Sequence, residues 1–598
     1  MLHNCFKKVM MFLLLLLAVV IMTNSMKAQP YKPNWESLKR HQTPQWLQEG
    51  KFGIYTHWGV YAVHAFGSNT TWYSNQLYNN PNSPARKDFE ERFGKLTPEF
   101  GYKDLIPMFK AEKFNADEWA ELFQQAGAKF AGPVAEHHDG FAMWDTKYSE
   151  WNAAKMGPHR DVVGELSKAI KKRNMKFVTA FHHAENWIFF PVWDKRYDTG
   201  NPKYSGLYGQ YHEQGAMPPA QESIDEWYNK IIEVIDKYGP DFIWFDFGLD
   251  YMPEGYEKDF LAYYYNWAKK NGKEVVVTYK DHDIIPGAGI RDLELGQSPD
   301  LAYNEWITDT SVDDRGAWGY ANDLTFKPTN RLIDNLIDNV SKNGYLLLNV
   351  GPKPDGTIPD GAKKVLLEMG GWLRTNGEAI YNTTPWFLWG EGPTNVGQIE
   401  RQGFNESAKV HTAEDIRFTT NGDVLYATVL DWPGDRVVIK SIRAVGPEAD
   451  KVVIPDWAKG EKVKSLAGTQ WDLPGTGRDT AKYHYTFKEN GEFHISGGRW
   501  TAAGVDGKYE QVGKEVFLIL AGRSSQASYD GVKFARSTAP PTYPGFYKEE
   551  IKRITMLGDG KELEWVLTKL GLIIKTPEKK GDYAYSFKIE RYHHPKLK

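Results

Sequence analysis

The feature that most constrains the fold is a regular alternation, from about residue 50 to residue 380, between short apolar segments and amphipathic helical segments. The apolar segments are rich in β-branched and aromatic residues, which is typical of strands buried on both faces. Several helical segments end in Gly or Asn-Gly, as helices commonly do. The predicted strands are residues 52–55, 129–135, 176–181, 241–245, 274–279, 304–307 and 345–350, and the predicted helices are residues 115–126, 162–173, 223–238, 256–271 and 330–342.

Repeated strand–helix units predict a parallel sheet with right-handed crossovers. Seven or eight units in about 330 residues indicate an α/β fold of the (β/α)8-barrel type. A doubly wound open sheet is the alternative, but the chain lacks the glycine-rich loop that binds nucleotides in many such sheets.

Polar and aromatic residues lie in or just after the predicted strands. The carboxyl ends of barrel strands meet at one mouth, where barrels carry their chemistry, so these side chains are expected to converge. Trp72, in the segment NTTWYSN, is assigned to the same site. The predicted binding residues are His57, Trp58, Trp72, His137, His138, His182, His183 and Trp244.

The paired histidines raise the hypothesis of a metal site. Adjacent residues of a strand point to opposite faces, however, so both members of a pair rarely bind one metal ion. The chain has no HExxH motif, and its only cysteine is Cys5. We therefore expect no metal and no cofactor, and we assign the histidines to substrate hydroxyls. Buried structural histidines are the alternative.

The first residues have the pattern of an export signal. Lys7 and Lys8 precede an apolar run over residues 10–22, and a small-residue stretch ends at Ala28. This pattern predicts a signal peptide over residues 1–28 and a secreted or periplasmic protein, with no membrane attachment after its removal. A retained signal anchor is the alternative. The formal net charge of −4 gives no broad basic field, so we expect no nucleic-acid partner.

Carboxyl groups are the expected chemical machinery. Glycoside hydrolysis usually needs two of them, one on each side of the scissile bond. Asp246 ends the otherwise apolar run PDFIWFD, where a carboxylate is costly to bury unless it has partners or a chemical role. A capping Asp in a strand–helix loop is the alternative on pattern alone.

Five segments resemble the α-L-fucosidases of glycoside hydrolase family 29: FGIYTHWGVYAV, EHHDGFAMWDTKYSEWN, PDFIWFDFG, LLLNVGPKPDGTIP and WLRTNGEAIYNTTPW. They occur in order between about residues 45 and 390. The resemblance implies a catalytic barrel followed by a β-sandwich, with cleavage of terminal α-L-fucose and retention of configuration. It assigns Asp246 as the nucleophile, His57, His137 and His138 as ligands of fucose hydroxyls, and Trp58 and Trp244 as pocket walls.

The acid/base residue is where the chain departs from this family. Many members carry a Trp-Glu pair before a later Trp-Gly-Tyr, but here Ile307 follows Trp306. Glu305 is the first candidate, because positions 305 and 307 of a strand face the same way. Glu294 is the second. Thr71 stands where relatives often have Glu. Phe141 and Trp386 are candidates for an apolar patch that receives the methyl group of fucose.

The pattern of apolar and polar residues changes after Trp386. Alternating apolar and polar residues predict antiparallel strands, and two parts of this region resemble the opening and closing strands of the family's sandwich. About 100 residues separate the two parts, and Asn-Gly and Gly-Gly turns in this interval predict a strand meander that resembles small lipocalin-like β-barrels. The predicted domains are a barrel over residues 30–385, a sandwich over 386–445 and 548–598, and an inserted β module over 446–547.

The function that these features predict is that of a retaining exo-α-L-fucosidase, which acts through a covalent fucosyl-enzyme on fucosylated oligosaccharides or glycoconjugates. Two alternatives remain open from the sequence. One is a sugar-binding pseudoenzyme on the same fold, prompted by Thr71 and Ile307. The other is a retaining glycosidase for another sugar with fucose-like hydroxyls. The oligomeric state is not determined by the sequence.

Overall fold

A computed structural model describes residues 30–394, 404, 406–460, 462–475, 481–498, 503–520, 523–536 and 545–593. Its first part is a closed barrel in which eight parallel strands pair in chain order and the last pairs with the first. The barrel that the sequence predicts is therefore confirmed. Its strands are β1 Phe52–Thr56, β2 Phe130–Glu136, β3 Lys176–Phe181, β4 Phe242–Phe245, β5 Val276–Tyr279, β6 Ile290–Asp292, β7 Trp306–Ser311 and β8 Gly344–Val350.

Helices cover most of the outer surface of the barrel, and the local sequence determines where they end. The helix before β4 ends at Tyr238, and the following Gly239 adopts φ 52° in the left-handed region and so turns the chain into β4. Loops, not helices, join β5 to β6 and β6 to β7 in this fully described stretch. The α-helices are Trp35–Leu38, Gln45–Gly50, Tyr73–Asn79, Pro84–Arg92, Ala116–Gln125, Val162–Lys172, Asn186–Phe189, Ser205–Tyr208, Gln221–Tyr238, Glu254–Lys270, Thr329–Ser341, Asp360–Asn376 and Asp456–Lys459.

Alternation along the strands separates two apolar cores. One cluster fills the barrel and includes Tyr55 and Trp244, whereas their neighbours Ile54 and Phe245 pack in a second cluster with the surrounding helices. Because successive side chains of a strand point to opposite faces, this alternation also fixes the direction of residues that extend each strand. Asp246, two positions after Trp244, is thereby aimed at the mouth of the barrel.

Antiparallel sheets form the rest of the described chain. A five-stranded sheet, ordered β20-β23-β11-β10-β9, and a three-stranded sheet, ordered β12-β22-β21, share one hydrophobic core and form the predicted sandwich. Both sheets combine strands from before and after the intervening module, as the prediction of an interruption requires. Their strands are β9 Thr384–Glu391, β10 Ile416–Asn421, β11 Val424–Val429, β12 Arg436–Ile439, β20 Ile551–Met556, β21 Trp565–Thr568, β22 Gly571–Lys575 and β23 Tyr585–Arg591.

The intervening region contains a seven-stranded antiparallel meander. The sheet curls around its own apolar face, since the rings of Trp471 on its first strand and Phe534 on its last are 6.2 Å apart. The ladders found among its described residues join consecutive strands, so these residues form a curled meander. Its strands are β13 Gln470–Pro474, β14 Lys482–Phe487, β15 Glu492–Gly497, β16 Val505–Val512, β17 Glu515–Leu520, β18 Arg523–Tyr529 and β19 Phe534–Arg536.

Two predictions concern membranes and export. Among the described residues, the helices lack the combination of length and apolar character that crossing a bilayer requires. The predicted signal peptide, residues 1–28, lies outside the described residues.

Candidate active site

A cavity of about 270 Å³ opens at the carboxyl ends of the barrel strands. This is the end at which (β/α)8 barrels carry their catalytic residues. Most of the predicted site residues meet here, although they are scattered along the sequence from residue 57 to residue 294. The cavity is lined by Tyr55, His57, Thr71, Trp72, His137, His182, Trp244, Asp246, Glu294, Asp309 and Trp318.

Asp246 is a carboxylate of the cavity that two imidazole rings contact. Its Oδ2 accepts a hydrogen bond from His182 Nδ1 at 2.8 Å and lies 3.3 Å from His138 Nε2. Burial by itself disfavours the charged form of Asp246, but His182 and His138 outweigh it and hold the pKa of Asp246 well below its usual value. Asp246 is therefore an ionised carboxylate with one oxygen held by imidazoles.

The imidazoles form a polar floor under the cavity. His57 Nδ1 is 2.9 Å from Asn349 Oδ1, and His138 Nδ1 donates to the carbonyl of His182 at 2.8 Å. Burial lowers the pKa of His57 and of His137 well below the usual value, so both rings are neutral and can donate or accept hydrogen bonds. Within the described structure, His137 Nδ1 and His182 Nε2 are buried without a partner, which suits them to bind ligand hydroxyls.

Two groups of side chains have the composition of a metal site. In each group, one nitrogen or oxygen atom per residue lies within 4.8 Å of the others. Asp246 already engages His182 and His138 in one group, and Asn349 engages His57 in the other. Hydrogen bonding to protein atoms thus accounts for most of this geometry, and the expectation of no metal remains a prediction. The first group consists of His57, His137 and His182. The second group consists of His138, His182 and Asp246.

Glu294 is another carboxyl group of the cavity, besides Asp246 and Asp309, and it lies close to the buried Lys280. Lys280 Nζ is 2.8 Å from Asp292 Oδ2, 3.1 Å from Asp309 Oδ1 and 3.3 Å from Glu294 Oε2. Burial, together with the negative charges of Asp309 and Asp246, raises the pKa of Glu294 to about 8 despite the opposing charge of Lys280. Glu294 is therefore protonated at neutral pH, while Asp246 in the same cavity is ionised.

The loop after β6 holds Glu294 at the cavity. The amide of Leu293 donates to the carbonyl of Ile307, and the amide of Leu295 donates to that of Asp309. Leu295 adopts φ 45°, an unusual conformation for a residue with a branched side chain. The backbone on both sides of Glu294 is thus tied to β7.

The expectation that Glu305 reaches the cavity is wrong. Glu305 precedes β7, which begins at Trp306, and therefore lies at the amino-terminal end of the barrel. Its Oε1 accepts a hydrogen bond at 2.5 Å from the hydroxyl of Tyr345, near the start of β8. The side chain of Glu305 points to the same face of the sheet as that of Ile307, as predicted. Glu305 lies, however, at the end of the strand opposite to the cavity.

Four other assignments also fail, either because the side chain points away from the cavity or because the residue lies in another domain. Trp58 points outward and packs against Phe109 and Trp119, with ring centroids 5.0 Å away in both cases. His183 follows the outward-facing Phe181, and its Nε2 lies 3.4 Å from the carbonyl of Trp227 on the helix outside the barrel. Both residues obey the alternation that sends their neighbours His57 and His182 inward. Trp386 lies in the sandwich core and Phe141 lies in the hydrophobic core around the barrel, so neither residue lines the cavity.

His137 points inward because of a local irregularity. The pairing of β2 with β3 shifts register between Val134 and Glu136. Val134 packs inside the barrel, whereas Glu136 points outward, 2.7 Å from Lys230 of the surrounding helix. This bulge brings His137 back to the interior.

Several residues of the site escaped the sequence analysis. Lys280, Asp309 and Asn349 organise the carboxyl groups and His57, and Trp318 forms part of the wall. Glu185, whose Oε2 is 3.4 Å from His138 Nε2, is a further buried carboxyl group, with a pKa raised by burial to about 7. A usable signal existed for Asp309, which has the same strand face as Ile307, and for Lys280, which directly follows β5.

A barrel mouth with one ionised and one protonated carboxyl group, beside neutral imidazoles and tryptophan rings, is the arrangement of a glycoside hydrolase. Comparison with known proteins identifies the family of glycoside hydrolases to which the chain is similar. The profile of the α-L-fucosidase family matches residues 18–378. The tissue α-L-fucosidase of Rattus norvegicus is 34% identical over 71% of this chain and 84% of its own length. The human tissue α-L-fucosidase is 33% identical over 71% and 84% respectively.

A solved structure of an α-fucosidase has a similar fold. Thermotoga maritima α-fucosidase in complex with fucose is similar at a TM-score of 0.61 and 25% identity, over 94% of this chain and 100% of that one. The chain belongs to the α-L-fucosidase family and is a glycoside hydrolase.

Proposed function

We propose that the protein is a retaining exo-α-L-fucosidase with Asp246 as nucleophile and Glu294 as acid/base. The observation that carries the proposal is the opposite protonation of two carboxyl groups in one cavity. The pKa of Asp246 is held well below its usual value, and that of Glu294 is raised to about 8. A retaining glycosidase needs this pair, since one group attacks as a carboxylate while the other donates a proton.

In the first step, an Asp246 oxygen attacks the anomeric carbon of fucose. The bond from that carbon to the leaving oxygen breaks, and Glu294 transfers its proton to the leaving oxygen. The products of the step are a covalent fucosyl-enzyme, a free saccharide alcohol and the Glu294 carboxylate. Lys280, 3.3 Å from Glu294 Oε2, stabilises the negative charge that Glu294 acquires.

In the second step, the Glu294 carboxylate accepts a proton from a water molecule whose oxygen attacks the anomeric carbon. The bond to Asp246 breaks, fucose is released, and both carboxyl groups return to their starting protonation. Two displacements at the same carbon give net retention.

Sugar recognition is assigned to the floor and walls of the cavity. His57, His137 and His182 offer buried imidazole nitrogens to the fucose hydroxyls. Trp72 and Trp244 offer aromatic surface to the apolar parts of the sugar. Because the cavity is small, we assign it to one terminal sugar of a fucosylated glycan.

The test is mechanism-based labelling. A 2-fluoro-fucosyl fluoride forms the covalent adduct quickly but loses it slowly, so peptide mass spectrometry identifies the nucleophile. We expect the label on Asp246, no label in Asp246→Asn, and retained configuration of released fucose by NMR. A label on another residue, or an inverted product, would overturn the proposal.

We also propose that the protein is exported and that its signal peptide is removed near Ala28. The support is the basic, apolar and small-residue pattern of residues 1–28. Amino-terminal sequencing of the protein from its native cell envelope or medium tests this, and an intact first residue would contradict it.

A further inference from the structure

Residues from the region that follows the barrel reach the loop that carries Glu294. The amide of Phe404 donates to the carbonyl of Glu294 at 2.6 Å, and the amide of Glu406 donates to the carbonyl of Leu295 at 2.7 Å. The amide of Ser407 donates to the side chain of Gln297 at 2.9 Å. Three successive contacts therefore dock this part of the chain against the Glu294 loop.

Glu406 anchors the docked residues. Its buried carboxylate accepts from Lys327 Nζ at 2.6 Å, Asn335 Nδ2 at 2.6 Å and Thr310 Oγ1 at 3.1 Å, and it lies 3.3 Å from Arg331. Charged and polar partners on both carboxylate oxygens hold the backbone of Glu406 in place beside Leu295. These contacts of Glu406 with the barrel thus hold Phe404 in its position next to Glu294.

The side chain of Phe404 lies beside the active site and remains half exposed, at 50%. Its ring stacks on that of Phe247, with centroids 6.3 Å apart and an interplanar angle of 12°. Phe247 directly follows Asp246, and Lys280 Nζ lies 5.4 Å from its ring centroid. Phe404 therefore extends an aromatic surface outward from the two carboxyl groups.

We propose that Phe404 and Phe247 form a subsite for the saccharide that fucose is attached to, in which a sugar ring of the leaving group packs its apolar face on the Phe404 ring. The proposal rests on the assignment of Glu294 as acid/base. A general acid must contact the leaving oxygen, so the leaving saccharide lies on the Glu294 side of the cavity. Phe404, bonded through its backbone to Glu294, presents exposed aromatic surface on that side, and aromatic side chains commonly line ligand sites.

The test compares two substrates in the full-length enzyme. A fucosylated trisaccharide has a leaving saccharide, whereas α-L-fucosyl fluoride has a single leaving atom that cannot reach Phe404. We expect Phe404→Ala to raise KM for the trisaccharide, lowering kcat/KM roughly 5-fold, a size typical of one aromatic contact. The fluoride should be hydrolysed at the unaltered rate, and Phe404→Tyr should restore the trisaccharide activity.

A matched control is Phe387→Ala, which removes another half-exposed phenylalanine, in β9 of the sandwich. We expect it to change neither substrate. Equal loss on both substrates in Phe404→Ala would show that the ring only shapes the cavity, and no loss on either would show that the leaving saccharide does not contact it; each result overturns the subsite. Failure of the Glu294 assignment is distinguishable, since it would appear as trisaccharide hydrolysis that survives Glu294→Gln.

Discussion

The two ends of the barrel carry similar side chains but support different chemistry. At the carboxyl-terminal end, Glu294 follows β6 and lies 3.3 Å from Lys280. At the amino-terminal end, Glu305 precedes β7 and accepts a hydrogen bond from Tyr345, near the buried Lys51. Each end thus combines a glutamate, a lysine and an aromatic ring, which is Trp244 beside Lys280 at one end and Tyr345 at the other.

The difference between the ends lies in what surrounds each glutamate. Glu294 shares its cavity with Asp246 and with the imidazoles that hold Asp246 ionised. Glu305 lines a separate cavity on the β5–β7 side of the barrel that contains none of the catalytic-end histidines. Residue type and strand face are therefore insufficient to identify an acid/base residue; the end of the strand decides.

The largest effect is expected for Asp246→Gly. Removing the nucleophile should lower kcat on the order of 10⁴-fold or more, as the loss of a covalent nucleophile does in other hydrolases. Azide should restore part of the rate on an aryl fucoside by attacking the anomeric carbon in place of Asp246. The measurement is steady-state kinetics with product analysis, and the expected rescued product is fucosyl azide of inverted configuration. Wild-type-like turnover in this variant would contradict the assignment.

The comparison between the ends is tested most directly by Glu294→Gln. Loss of general acid catalysis should lower kcat/KM on a fucosylated oligosaccharide about 10²- to 10⁴-fold. The loss should be far smaller on an aryl fucoside with a good leaving group, because that group departs without a proton. Equal losses on the two substrates would indicate a structural role for Glu294.

The pH dependence follows from the two carboxyl groups. Glu294 is active in its protonated form, and its pKa is about 8, so kcat/KM on oligosaccharides should fall as pH rises through about 8. Asp246 is active when ionised, and its lowered pKa keeps it ionised at all but strongly acidic pH. The profile of Glu294→Gln should lose the alkaline limb. An alkaline limb that persists unchanged in this variant would assign it to another group.

The smallest effect on activity is expected for Glu305→Gln, the matched control at the other end. It should change kcat/KM by less than about 2-fold, since Glu305 does not line the catalytic cavity. Weakening its hydrogen bond to Tyr345 should cost about 1 kcal/mol of stability. Thermal unfolding measures the second quantity. A strong loss of activity without a loss of stability would reinstate Glu305 as a catalytic residue.

The sequence predicted the barrel because most of its strands are apolar and alternate with amphipathic helices. It missed β6, Ile290–Asp292, because three residues with two charged side chains give no recognisable strand pattern. The predicted strand over residues 304–307 began too early, since β7 starts at Trp306. That error of two residues placed Glu305 inside a strand and led to the wrong acid/base candidate.

The sequence by itself determined the alternation of strands and helices, the resemblance to the family, and the clustering of Asp246 with His57, His137 and His182, because parallel barrel strands bring their carboxyl ends to one mouth. Tertiary structure decided which member of each pair faces inward, since one bulge in β2 redirects His137 and a single step along a strand sends Trp58 and His183 outward. It also decided the protonation of Glu294, because burial and the charges around it come from segments far apart in the chain.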